Sequence, residues 1–211
     1  MEKVTLCPSE LGPADLASVR RVGVSEPAIL DATYICVGFN IITRIADALS
    51  FKIPAEELFA RAAKLLKIFG YRRLSGFWIS GSSSKTPRLY DPYAKKMERL
   101  RYAVLSGPGS LPSHVRQAIS KGGPLPGALE VFVRKLNTEA STLTDDDIAA
   151  LHRAHYTDDQ IFEAIVSAAM GAGLFRLERV LNLLRSNHAE KQNPLLNDKK
   201  RQSSRLINYA N

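Results

Sequence analysis

Residues 11–49 align without a gap on residues 143–181, an offset of 132 positions. Self-similarity at a fixed spacing restricts a chain to folds that can be built twice from one unit. In this register Leu11 meets Leu143, Asp15 meets Asp147, Ala17 meets Ala149 and Arg21 meets Arg153. Ile29 meets Ile161, Ala32 meets Ala164, Arg44 meets Arg176 and Leu49 meets Leu181. The start signals coincide as well, with Ser25 and Glu26 falling on Thr157 and Asp158. Any two amphipathic helix pairs align in part. The shared caps, the shared arginine and the equal turn length favour duplication over that alternative.

The repeated unit reads as a short helix, a tight turn and a long helix. Ile29, Ala32, Ile35, Cys36, Phe39, Ile42, Ile45, Ala46 and Leu49 recur at steps of three and four, which predicts one long, mostly buried helix starting at the Ser25 cap. A shorter helix over 13–22, stopped by Gly23, should precede it, and another over 54–69, stopped by Gly70, should follow. The small polar run 80–87 reads as a linker. Beyond it, helices are expected at 90–105, 112–120, 127–140, 144–154 and 157–184, and no stretch alternates as a strand would. The expected fold is all-α, a helical bundle with an internal duplication. Its parts would be a first half at 1–80, a linker at 81–89, a second half at 90–186 and a mobile basic tail at 187–211.

With 45% hydrophobic and 24% charged residues in 211, the chain has the composition of a soluble globular protein with a core of its own. The N-terminus lacks the apolar stretch of a signal peptide, and no uncharged apolar run reaches the roughly 18 residues that span a bilayer, so no membrane role is expected. Cys7 and Cys36 cannot make a disulfide framework, which suits a reducing, cytoplasmic setting.

Particular segments carry a family resemblance. LGPADLASVRRVGVSE (11–26) followed by CVGFNIITRIAD (36–47) resembles the turn and long helix of the carboxymuconolactone decarboxylase / alkylhydroperoxidase D-like (AhpD-like) superfamily. FGYR (69–72), FVRKL (132–136), LTDDDIAAL (143–151) and TDDQIF (157–162) are similar to the same family. The resemblance implies an all-helical protein assembling as a homo-oligomer, commonly a trimer or hexamer. It also implies chemistry on small molecules. The peroxidase branch works through a Cys-x-x-Cys pair, and here Cys7 and Cys36 stand far apart, so a thiol peroxidase of the usual kind is not expected. The decarboxylase branch needs no such pair, which leaves non-redox chemistry on a small acid open.

Cys36, Asn40, Arg44 and Asp47 are spaced four, four and three, and so share one stripe of the long helix. They are the candidate site residues. One reading is an internal Arg44–Asp47 ion pair; the other is a cavity in which Arg44 anchors a small anionic ligand while Cys36 or Asn40 faces it. In the second copy Arg176 persists while the other three positions become Ala168, Ala172 and Arg179, so only the first half can hold the constellation. The small-residue run 168–173 suggests close packing of another helix rather than a cofactor site. His152 and His155 beside Asp145, Asp146 and Asp147 fit a metal poorly, because the acidic cluster is explained by helix capping. No cofactor is expected.

The charge of +8 is concentrated, since residues 61–101 carry a net +9 interleaved with Tyr71, Phe77, Trp78, Tyr90 and Tyr93. No nucleic-acid motif accompanies them. The expectation is a solvated face, with weak non-specific binding of nucleic acid or an acidic partner as the alternative role.

Overall fold

The computed structural model describes residues 1–51, 56–61, 63–64, 67 and 91–192, with side chains through 186. Every regular element among them is helical. In chain order they are α1 (Glu2–Leu6), a 3-10 turn (Pro8–Glu10), α2 (Pro13–Arg21), α3 (Glu26–Ala48), α4 (Ala94–Leu105), α5 (Ser113–Lys121) and α6 (Gly127–Glu139). A second 3-10 turn (Ala140–Thr142), α7 (Asp145–Arg153) and α8 (Asp158–Gln192) complete the set. Residues 56–61 are also helical. The predicted linker at 80–87 and most of the tail lie outside the described residues, although α8 runs into the predicted tail as far as Gln192.

The bounds of the elements recur at the spacing of 132 seen in the sequence. Shifted by that amount, the first 3-10 turn, α2 and the start of α3 fall on the second 3-10 turn, α7 and the start of α8. Local chemistry follows the same register. Asp15 accepts from the Gly12 N–H at 2.8 Å and pairs with Lys3 at 2.9 Å; Asp147 accepts from the Thr144 N–H at 2.8 Å and pairs with Lys135 at 2.6 Å. Each carboxylate closes the first turn of its helix, where orphan N–H groups and the dipole favour negative charge. The turn that ends each short helix also repeats, with Gly23 at φ +85° and His155 at φ +65° in the same left-handed region.

Helix α8 is the spine. Its first half joins α5, α6 and α7 in one apolar cluster that includes Leu129, Phe132, Leu136, Leu151, Ile161 and Ile165. Its second half joins α1, α2 and α3 in another, through Val4, Leu16, Leu30, Val37, Leu177 and Leu184. The first and the last described helices thus share a core. The small-residue run permits this. A Cβ on Gly171 would lie 2.2 Å from the Ser120 carbonyl oxygen, and one on Gly173 would lie 2.7 Å from Ile41 Cγ1, so α5 and α3 approach where only glycine fits. Close packing, as expected from the run, is what these glycines serve.

One expectation fails. Helix α3 is not mostly buried: Ile35, Phe39 and Ile42 are 62%, 64% and 63% exposed. The helical period marks an apolar face but cannot say whether anything in the chain covers it.

Candidate functional site

Helix α3 starts at Ser25, whose hydroxyl accepts the Ala28 N–H, and runs without a break past all four candidate residues. Cys36 is half-buried. Its sulfur lies 3.2 Å from the Thr5 hydroxyl on α1. Asn40 is buried; its amide donates to the Cys36 carbonyl at 2.8 Å and reaches the Cys36 sulfur and the Thr5 hydroxyl at 3.5 Å each. Thr5, Cys36 and Asn40 therefore form one polar cluster, beside an open groove of about 450 Å³ lined also by Met1, Ala32, Ile35, Phe39 and Thr43.

Arg44, one turn further along α3, does not pair with Asp47, which is exposed. The Arg44 Nε is buried and has no hydrogen-bond partner among the described residues. The ion pair that the spacing allowed is thus not formed. The tertiary fold instead brings Arg44 near its repeat counterpart, Arg176 on α8. Arg176 is only 8% exposed and donates to the Thr5 carbonyl at 2.8 Å and the Ala172 carbonyl at 2.9 Å. Burial, then the positive charge of Arg44, lowers its pKa, and the neighbouring Cys36 sulfur opposes that shift. Neither arginine has a carboxylate partner among the described residues. Arg179 continues the row and donates to the carbonyls of Pro8, Ser9 and Leu11, so α8 holds the end of α1 and the turn after it by charge-assisted bonds.

Thr5 and Arg176 are the site members that spacing along α3 could not reveal. The only sequence signal for Arg176 was its alignment with Arg44, and Thr5 had none. The other candidates take structural roles. His152 lies 3.2 Å from Asp158 and also bonds the Tyr156 carbonyl, and Asp147 is engaged in its cap. Tyr93, the described aromatic of the basic stretch, donates to Asp31 at 2.9 Å and packs its ring 4.8 Å from that of Tyr34. The Tyr34 hydroxyl in turn donates to Asp91, and burial followed by that carboxylate raises its pKa. These tyrosines dock α4 on α3, while Lys95, Lys96, Arg99 and Arg101 stand exposed on α4.

Scans against family models, curated proteins and solved structures find no match for the chain.

Proposed function

We propose that this is a duplicated helical protein of the carboxymuconolactone decarboxylase / alkylhydroperoxidase D-like kind, assembled as an oligomer, that binds a small anionic molecule between Arg44 of its first half and Arg176 of its second. The observation that supports it is the unbonded Arg44. Its Nε is buried with no hydrogen-bond partner among the described residues, its positive charge acts on the buried Arg176, and neither guanidinium, which cannot shed its proton, has a carboxylate partner among those residues. A carboxylate or phosphate supplies the missing negative charge and accepts in the planar, bidentate geometry that guanidinium favours. Asn40 and Thr5 fix the Cys36 end of the site. Without a Cys-x-x-Cys pair the site does not run a disulfide cycle; binding of the acid is the role assigned, and non-redox turnover of that acid is what the family resemblance adds. Free Cys7 and Cys36 suit a reducing, cytoplasmic compartment.

Thermal denaturation in low salt, with small organic acids and inorganic phosphate as probes, tests the reading. An anion at 100 times its Kd should add about 2.7 kcal/mol by linkage, which for a chain of this size raises Tm by roughly 5 to 10 °C. Arg44→Met should abolish that rise. Without anion the same variant should be as stable as wild type or more so, because it removes a like charge beside Arg176. If no anion stabilises the wild type, or if Arg44→Met alone destabilises by the roughly 3 to 5 kcal/mol expected on breaking a buried pair, the arginine is structural.

A second reading, a non-catalytic interaction module, is favoured by one observation: the apolar face of α3 that no described element covers.

A further inference from the structure

The repeat register shows what covering that face requires. Ile35, Phe39 and Ile42 correspond to Ser167, Gly171 and Leu174 on α8. On α8 this face is closed: Ser167 and Gly171 are buried, and α5 lies against them so tightly that its Ser120 backbone occupies the place of a Gly171 side chain. On α3 no described element covers the equivalent residues, and each is more than three-fifths exposed. The sequence has adapted the two faces differently. At two of these three positions α8 carries small residues for a helix already present, whereas α3 carries large apolar side chains open to solvent at all three. From residue 32 to residue 43 the helix holds no charge, unlike the exposed side of α4 with Lys95, Lys96, Glu98, Arg99 and Arg101.

We propose that the α3 face is a two-fold interface with a second copy of this chain, α3 packing antiparallel on α3 with the axis at Phe39. The stripe is close to palindromic about that residue, with an isoleucine four positions before it and another three positions after it. An axis there sets Ile35 of one copy against Ile42 of the partner subunit, the self-complementary arrangement that closes a dimer. The area is close to what association needs: Met1, Ile35, Phe39 and Ile42 leave on the order of 100 Å² each, roughly 800 Å² over both copies, and Ala32 and Thr43 along the same groove extend it toward the floor of about 1,000 Å² for specific association. Helices at the same register already pack this closely within the chain, where Ile41 meets its counterpart Gly173. The partner's α3 also roofs the groove beside Cys36 and Asn40, so the open site of one copy becomes an enclosed one in the pair. The inference draws on the repeat register and the exposed stripe, not on anion binding, and the two are read out separately, by mass and by Arg44-dependent stabilisation.

Sedimentation velocity of the full chain at micromolar concentration should give a dimer. Phe39→Asp and, independently, Ile42→Asp should halve the mass while leaving the helical circular dichroism intact, whereas Tyr102→Asp, at an exposed residue of α4, should leave the dimer unchanged. On mild oxidation, Phe39→Cys should cross-link two chains across the axis and Val131→Cys should not. A monomeric wild type, a mass indifferent to both α3 substitutions, or cosedimentation of wild type but not Phe39→Asp with phosphatidylcholine vesicles would overturn the proposal. The last outcome would assign the face to a lipid surface, since α3 is long and apolar enough by composition to enter one.

Discussion

Helices α3 and α8 begin at the same place in the repeat and differ in what surrounds them. The apolar window of α8 is 61% buried and that of α3 is 28% buried. At the position where α3 presents Phe39 to solvent, α8 has Gly171 wedged against a neighbouring backbone. Positions 132 residues apart thus differ according to whether a described neighbour packs against them. The lesson is that an apolar helical stripe encodes a demand for burial, and its satisfaction depends on the rest of the assembly.

The hardest break in this comparison is to put the residue of one helix into the other. Gly171→Phe should cost about 3 kcal/mol or more in urea denaturation, because the ring meets the Ser120 backbone and α5 must move. The reciprocal Phe39→Gly should cost only about 1 kcal/mol in the monomer, the price of glycine in a helix interior. Comparable losses for both would mean that α3 is covered after all.

A gentler change sharpens the correspondence of the two turns. His155 holds the left-handed backbone that Gly23 holds in the first half, and it carries a side chain there. His155→Gly should stabilise by about 0.5 to 1 kcal/mol in thermal or urea unfolding, since the strain of a Cβ in that region exceeds the entropy glycine adds to the unfolded chain. A loss of stability would indicate that the His155 imidazole has a role the turn does not explain.

The smallest effect separates the paired caps. The Lys135 ammonium, then the Thr144 backbone and hydroxyl, hold the Asp147 carboxyl below its ordinary pKa, and the Gly12 N–H, then Lys3, do the same for Asp15. Both ionise more readily folded than unfolded. Their contribution is therefore present above about pH 4 and is lost as pH falls through the folded-state values. Asp147→Asn should be less stable than wild type at pH 7 by under ~1 kcal/mol, as for exposed pairs, with the gap closing as pH falls below the ordinary carboxylate range. A gap constant with pH would assign the effect to cap geometry alone.

Most helices were legible because periodicity and caps are local: Ser25, the acidic cluster that opens α7 and the glycine at 23 mark ends that the structure keeps. Helix α1 was not, since five residues before Pro8 give too short a period. The polar stripe of α3 was legible as a stripe, and Cys36 and Asn40 do meet. The fate of Arg44 was not, because spacing along one helix offered Asp47 while the fold delivered Arg176. The exposed face of α3 was misread for the same reason: neighbours distant in sequence decide it.

The bonds from Arg176 and Arg179 to carbonyls of residues 5–11 span 168 to 171 positions of the chain. An all-helical protein ordinarily assembles from near neighbours and folds early. Here residues 5–11 find their anchors only once α8, 168 to 171 positions further along, has been made. During synthesis the apolar side of α1 and α2 stays without its α8 half, which sets a premium on reaching α8 before these segments meet other proteins.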